Sequence, residues 1–209
     1  MAKAGVSQAG HELCLDFSNT VDWRNGPERE DRLTSFNSLV SWSVKQGLVT
    51  KGEAQALARE SGGRHMGEEI LDRAIQLRET VYRIFSGVAH GAQPSDEDIV
   101  RLNNFLSSYS TSSRVVKLGG GFTWEWVPGK GLEGRILWPI AKSAADLLTS
   151  ELVERVTECA NVKQGCGWIF LDKSKSGTRR WCSMDGCGNR SKVRAWYERQ
   201  ERSGQTRAV

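Results

Sequence analysis

Four of the five cysteines lie within 29 residues, and they constrain the fold of this chain more than any other feature. Cys159, Cys166, Cys182 and Cys187 form two pairs, with six residues inside the first pair, four inside the second and fifteen between them. Zinc takes four soft ligands in a tetrahedron, and two short-spaced pairs can supply them. These spacings are looser than C-x2-C, so buried structural thiols are the alternative. We expect one structural Zn²⁺ bound by all four cysteines.

The residues between and after the pairs favour a small metal-bound unit. Two extended runs, 168–172 and 178–181, flank a turn at 175–177 and predict a hairpin that returns the second pair to the first. Residues 183–200 predict a helix start followed by a basic helix, whose positive end favours nearby thiolates. This order of elements is similar to a treble-clef zinc finger. The finger has too few aliphatic side chains to bury a core of its own, so we expect bound metal to supply the missing folding energy.

The segment from Cys166-Gly167-Trp168 through Cys187-Gly188-Asn189-Arg190 closely resembles the CGNR zinc-finger proteins of bacteria. In that family an N-terminal ABATE domain precedes the finger, and residues 13–21 are similar to the opening motif of that domain. The resemblance implies a stress-induced transcription regulator that binds DNA. The chain departs from the family in its first cysteine pair, whose ligand loop has six residues where four are usual.

The chain is predicted to be mainly α with a small β-hairpin, as an N-terminal helical domain followed by the treble-clef-like finger. We expect an ABATE-like domain over residues 1–153, the finger over 154–203 and a tail over 204–209. No apolar run approaches the about 18 residues that span a membrane. No apolar signal core follows residues 1–5, which predicts a cytoplasmic location and reduced thiols.

Apolar periodicity predicts the elements of the helical domain. A glycine-rich loop is expected over 61–67. The predicted elements are a first helix carrying Leu13, Phe17 and Val21, a helix from Phe36 to Val44, a short helix opened by a Thr50–Glu53 capping box, a long helix over 70–88, a helix opened by Ser95, a hairpin of 114–118 with 122–127, and a last helix started by Pro139.

Charge is divided unequally along the chain. Residues 159–209 carry eleven Lys or Arg against four Asp or Glu, a net of +7, whereas residues 1–158 have a net charge of −3. One Zn²⁺ and four thiolates leave the tail at about +5. A basic tail on an acidic body is typical of modules that bind nucleic-acid phosphates. A solvated helix face is the alternative, but it does not explain why Arg179 and Arg180 lie beside the metal ligands.

Five basic residues are candidates for DNA contact. Arg190 and Arg194 are four residues apart, share a helix face and are expected to face the groove. Lys192 lies on another side, where a peripheral phosphate contact is expected. Arg179 and Arg180 on the predicted hairpin are expected to contact a flanking phosphate. For Arg190 the alternative is a structural role, donating hydrogen bonds to carbonyls of the zinc loop.

Two other functions stay open at this point. RNA binding is one, because four aromatic residues lie among the arginines and could stack on unpaired bases. A protein-interaction adaptor that uses the zinc module as a scaffold is the other. The aromatic residues are Trp168, Trp181, Trp196 and Tyr197.

A small-molecule effector site is predicted in the first domain. Asp16, Asn19, Thr20 and Arg24 are polar residues that could line a pocket against the Trp124–Trp126 strand. The alternative is that these residues cap or brace neighbouring loops. Cys14 has apolar neighbours and is expected to be a packed core thiol rather than a metal ligand.

No catalytic motif is found in the sequence. It has no glycine-rich phosphate loop, no H-E-x-x-H and no G-x-S-x-G. Four cysteines complete a zinc coordination shell and leave no open position for an activated water. We therefore expect a protein that is not an enzyme.

Overall fold

Helices make up most of the chain, as predicted. The computed structural model describes residues 10–60, 64–127 and 132–205. None of the described helices is long and apolar enough to cross a membrane. The helices are α1 (Leu13–Ser18), α2 (Phe36–Lys45), α3 (Lys51–Glu60), α4 (Arg64–Ala89), α5 (Asp96–Tyr109), α6 (Leu132–Leu148) and α7 (Asn189–Gln205).

The strands of the described residues form three antiparallel pairs, β1 with β2, β3 with β4, and β5 with β6. The β3–β4 pair is the predicted hairpin, with Arg114 opposite Glu125 and Val116 opposite Thr123. Its prediction is confirmed. The strands are β1 (Val21–Asp22), β2 (Glu30–Asp31), β3 (Ser113–Leu118), β4 (Gly121–Trp126), β5 (Val156–Glu158) and β6 (Ile169–Leu171).

Side-chain caps fix the starts of three helices. The predicted capping box of α3 is present, since the Thr50 N–H donates to Glu53 Oε2 (2.8 Å) and the Glu53 N–H donates to Thr50 Oγ1 (3.2 Å). Ser35 accepts from the backbone N–H of the third residue of α2, and Ser95 caps α5 in the same way. Each cap satisfies a helix N–H that has no partner inside the helix.

The short helix α1 lies at the centre of the hydrophobic core, in contact with α4 and α6. Phe17 is fully buried, and its ring centroid lies 4.9 Å from that of Trp42. Cys14 is also fully buried, which raises the pKa of its thiol to about 12, as expected of a core thiol. The first helix is shorter than predicted, because α1 ends at Ser18 and Val21 begins β1.

Two further predictions are wrong in the helical domain. Pro139 does not start the last helix but lies inside α6, which begins at Leu132. Burial of Ile136 and Leu137 accounts for the helical turns before the proline, since tertiary contacts offset the hydrogen bond that a proline lacks. The predicted loop over 61–67 is helical from Arg64 onward, and residues 61–63 lie outside the described residues.

The β5–β6 pair joins the finger to the helical domain. Val156, Ile169 and Leu171 are buried in the same core cluster as α1 and α4. The domain boundary predicted after residue 153 remains a prediction, and the strands that follow it share the hydrophobic core of the residues before it. The finger therefore has no separate apolar core for these strands.

A buried arginine on α4 holds the loop between β1 and β2. Arg78 is 1% exposed and donates to both carboxylate oxygens of Asp31 on β2, each at 2.7 Å. Its Nε donates to Glu79, which in turn accepts from Arg24 in the loop (2.5 Å). Burying a charge is costly unless it is paired and hydrogen-bonded. This network therefore fixes residues 22–31, which contact the finger.

Candidate metal centre and nucleic-acid interface

The four cysteines of the sequence pattern lie together. Their sulfur atoms are all within 4.8 Å of one another, with 3.8 Å between Cys166 and Cys182 and 3.5 Å between Cys187 and Cys166. A tetrahedral zinc with Zn–S bonds of about 2.3 Å has ligand sulfurs about 3.8 Å apart. All four thiols are free of disulfides. The donor set and its spacing therefore fit one structural Zn²⁺.

The electrostatics of the cluster require a cation if all four sulfurs are to be thiolates. Hydrogen bonds from Cys166 and Cys182 lower the pKa of Cys159, so one thiolate is stabilised by its neighbours. The pKa of Cys166 is raised to about 12, first because its hydrogen bond to Cys159 holds the proton. Thiols this close cannot all ionise in the absence of positive charge, because the thiolates repel one another. A divalent cation supplies that charge and displaces the protons.

The Cys-Gly-Asn-Arg run links the second cysteine pair to α7, and each residue has its own contact. The Cys187 carbonyl accepts a hydrogen bond from the buried side chain of Asn161 (2.7 Å). A Cβ on Gly188 would lie 2.4 Å from the sulfur of Met184, so no larger residue fits without movement. Asn189 donates to the Asp185 carbonyl (3.3 Å). The run closes a π-helical turn over 184–188 and starts α7.

The enlarged first ligand loop forms the contact with the helical domain. Its six residues include a 3₁₀ turn over Val162–Gln164, closed by Gly165 at φ +97°. The Gly165 carbonyl accepts from the Asn25 N–H (3.2 Å), and a Cβ on Gly165 would lie 2.8 Å from the Cα of Gly26. The two backbones therefore meet directly. Sequence reasoning left the shape of this loop open and gave no indication of the glycine pair.

Trp23 lies between the helical domain and the zinc cluster. It adopts φ +49°, which is uncommon for a bulky residue and is held there by surrounding contacts. Its side chain packs against the cysteine cluster, and the guanidinium of Arg190 lies 4.5 Å above its ring. Arg190 therefore stacks on the helical domain, which is neither of the two roles predicted for it.

The hairpin predicted within the finger is wrong. Strand β6 pairs with β5 instead, and residues 178–181 form no strand. Both oxygens of the buried Asp172 carboxylate accept backbone N–H groups, from Ser174 and Arg179, each at 2.8 Å. These hydrogen bonds, first among them those from Ser174, lower the pKa of Asp172. The carboxylate thus satisfies N–H groups that a hairpin would have used for pairing.

Arg179 has the bracing contacts with metal-loop carbonyls that were the predicted alternative for Arg190. Its Nε donates to the Trp181 carbonyl (2.9 Å), and its Nη2 donates to the Cys182 carbonyl. The guanidinium also lies 4.6 Å from the Phe170 ring centroid. Of the two neighbouring arginines, Arg179 therefore holds the chain at a metal ligand.

Arg180 and Arg194 line one polar cleft of about 230 Å³, together with Gln164 and Ser191. We call it the Arg180–Arg194 cleft. Trp181 also lines it, and its indole N–H is buried without a hydrogen-bond partner among the described residues. Glu198 is the acidic residue of the lining. Arg194 also lines a second hollow along α7 together with Arg190, so the helix face that their spacing predicted is present. Lys192 is exposed and lines neither cleft.

Three of the four predicted effector residues have internal contacts. The Asn19 side chain donates to the Ile169 carbonyl (2.7 Å) and accepts from the Ile169 N–H (3.0 Å). Thr20 donates to a carbonyl of α1, and Arg24 bonds Glu79 and the Ser18 carbonyl. Asp16 is exposed. The bracing alternative accounts for Asn19 and Arg24, and ligand binding by this group stays a prediction.

The four aromatic residues of the RNA alternative fall into two pairs. Trp168 and Trp181 are partly buried and pack against the cysteine cluster. Trp196 and Tyr197 on α7 are 50% and 58% exposed, with ring centroids 4.9 Å apart at an angle of 75°. Only the second pair has the exposure that stacking on a base requires.

Comparison with known families agrees with this architecture. Residues 11–151, more than half of the chain, match the ABATE family, described as "Putative stress-induced transcription regulator". Residues 155–200 match the CGNR zinc finger. No curated protein matches the chain. The chain therefore belongs to the ABATE family and carries a CGNR zinc finger whose four clustered cysteines can hold one zinc ion.

Proposed function

We propose that this chain is a zinc-dependent transcription regulator that binds duplex DNA through its finger. The Arg180–Arg194 cleft carries this proposal. It combines two guanidinium groups with a buried indole N–H that lacks a partner among the described residues. Phosphate oxygens accept hydrogen bonds from such donors, and phosphate contacts position a protein on DNA. The cleft lies on the part of the chain with a net charge of +7.

Zinc has a structural role in this proposal. Cys182 lies two residues after Arg180. Cys187 lies two residues before Asn189, where α7 and its basic residues begin. One ion bound to both cysteines links the segment of Arg180 to the helix of Arg194. Four thiolate ligands fill a tetrahedral shell, so the metal holds the two arginines in place and performs no chemistry.

Helix α7 is the element we propose to lie along a DNA groove. Its 17 residues span about 26 Å, and Lys192, Val193 and Arg194 are exposed. Arg190 stacks on Trp23 and Arg179 braces the metal loop, so Arg194 is proposed to contact a phosphate at the edge of the groove and Lys192 a peripheral phosphate. Arg190 and Arg194 share a helix face, but the groove-facing role expected of both is proposed here for Arg194 alone.

A single-stranded nucleic acid is the second candidate, favoured by the exposed Trp196 and Tyr197. The protein purified with zinc would be tested against genomic fragments, and a retained fragment would then be compared as duplex and as single strand. The proposal expects tighter binding of the duplex. Trp196→Ala should leave duplex affinity within about twofold, whereas the stacking alternative expects a loss of about 1–3 kcal/mol per stacked base.

The same assay separates DNA binding from an adaptor function. Arg194→Gln should weaken duplex binding and retain the zinc, because Arg194 lies outside the metal shell. Glu154→Gln, an exposed change outside the cleft, is the control variant. An adaptor that uses the finger as a scaffold would show no salt-dependent duplex binding at all.

The second part of the proposal is that the helical domain responds to a small-molecule effector. If Asp16, Asn19, Thr20 and Arg24 bind a small molecule, that molecule should raise the melting temperature of the protein by mass action. Asp16→Asn is the informative variant, because Asp16 is exposed and takes no part in the internal hydrogen bonds of the other three residues. Loss of the thermal shift in this variant would support the site, and an unchanged shift would remove Asp16 from it.

A further inference from the structure

A second polar cleft lies between α4 and α5, away from the metal. Its volume is about 280 Å³. The lining side chains lie three or four residues apart on each helix, so both helices present one stripe to the cleft. The lining residues are Arg73, Gln76 and Thr80 on α4 and Arg101, Asn104 and Phe105 on α5.

All five polar side chains of this lining can donate hydrogen bonds, and none is a carboxylate. Two are guanidinium groups, two are amides with an NH₂ group, and one is a hydroxyl. Phe105 is 8% exposed and supplies an apolar wall. A set of donors without an acidic residue is complementary to an anion whose oxygens accept several hydrogen bonds.

Thr80 is the most deeply buried of these donors. It is 1% exposed, and its hydroxyl oxygen accepts from Arg83 Nη2 at 3.3 Å. Among the described residues no acceptor is found for the hydrogen of this hydroxyl. A threonine hydroxyl can donate as well as accept, and buried polar groups normally find a partner. A ligand oxygen in the cleft would be that partner.

The two arginines are held in place without using all their donors. Arg73 Nε forms an ion pair with Glu133 Oε1 (2.7 Å), and its guanidinium lies 5.8 Å from the centroid of the Phe105 ring. Arg101 donates through Nε and Nη2 to a single oxygen of Glu97, an exposed partner one turn away. An exposed i,i+4 ion pair contributes little, so a ligand can compete for Arg101. Each guanidinium has five N–H donors.

We propose that this cleft is a binding site for a small oxyanion, either a phosphate or a short-chain carboxylate. Its arginines would pair with the anion, Thr80 would donate to one oxygen, and Phe105 would contact any apolar part of the ligand. The site lies on the helical domain, separate from the four residues considered as effector ligands and from the finger. It gives this domain a ligand class of its own, whether or not the finger binds DNA.

The test is calorimetric titration of the full-length zinc-loaded protein at constant ionic strength, first with inorganic phosphate and then with succinate. Saturable binding of either anion is expected, and the one that binds more tightly identifies the ligand class. Arg101→Gln should weaken it at least tenfold. Thr80→Val, similar in shape but without the hydroxyl, should weaken it severalfold, with folding of each variant checked by circular dichroism.

Two control variants test whether the anion binds in the α4–α5 cleft or at the finger. Arg114→Gln removes an arginine that is paired with a glutamate on the β3–β4 hairpin, and it should leave anion affinity unchanged. Arg180→Gln removes an arginine of the finger and should also leave it unchanged. Absence of saturable binding of both anions would overturn the proposal. So would wild-type affinity in Arg101→Gln, or a loss confined to Arg180→Gln, which would place the anion at the finger.

Discussion

Replacing Asn19 by leucine should destabilise the helical domain and the finger together. The Asn19 amide forms two hydrogen bonds with the backbone of Ile169, a fully buried residue of β6. Leucine has a similar size but no polar atoms, so the change leaves a buried N–H and a buried C=O unpaired. Each unpaired buried group costs about 1–3 kcal/mol. The expected loss is therefore about 2–6 kcal/mol, a large part of the about 5–15 kcal/mol that stabilises a typical domain.

Urea unfolding followed by circular dichroism measures this loss. With a slope of about 2–3 kcal/mol per molar urea, a loss of about 3 kcal/mol lowers the midpoint by about 1–1.5 M. Zinc release, followed with a chromophoric chelator, should shift by the same amount, because β6 belongs to the shared core. Asn37→Leu, on the exposed side of α2, is the matched control. A midpoint for Asn19→Leu equal to that of Asn37→Leu would refute this reasoning.

Three other changes probe the metal, an ion pair and a backbone contact. Cys182→Ala should lose the zinc, whereas Cys14→Ala should retain one zinc per chain by metal analysis. Asp98→Asn should cost about 1 kcal/mol at pH 7. Arg83 on α4 donates a hydrogen bond to the Asp98 carboxylate and lowers its pKa in the folded protein. The stabilisation is therefore present above the pKa of Asp98 in the unfolded chain, and it is lost as pH falls through the pKa of Asp98 in the folded protein. The difference between Asp98→Asn and wild type in urea titrations should therefore vanish in acid. Gly165→Ala should destabilise by about 1–3 kcal/mol because of its positive φ, whereas Gly52→Ala on α3 should stabilise slightly.

Local signals predicted much of the fold. Apolar periodicity predicted the positions of α2, α4 and α5, and serine or threonine caps predicted the starts of α2, α3 and α5. The turn glycines gave the β3–β4 hairpin. These features depend on residues within a few positions of one another. The zinc cysteines were also predictable, because four thiols within 29 residues have few other uses.

Side-chain contacts that depend on the path of the folded chain could not be predicted in the same way. Asp172 bonds backbone N–H groups of the following turn and prevents the finger hairpin, yet nothing in its immediate sequence distinguishes it from a solvated aspartate. Arg78 pairs with Asp31, 47 positions away, and Asn19 with Ile169, 150 positions away. The stacking of Arg190 on Trp23 also joins residues that are far apart in sequence, whereas the bracing contacts of Arg179 are with carbonyls two and three residues away.

The salt dependence of duplex DNA binding tests the central claim most directly. Fluorescence anisotropy of a retained fragment would be measured over a range of salt concentrations for the wild type and for the double variant Arg180→Gln/Arg194→Gln. If both arginines contact phosphates, the slope of log K against log salt should flatten by about two units. Zinc content should be unchanged, and Arg114→Gln should keep the wild-type slope. A double variant with the affinity and slope of the wild type would contradict the account.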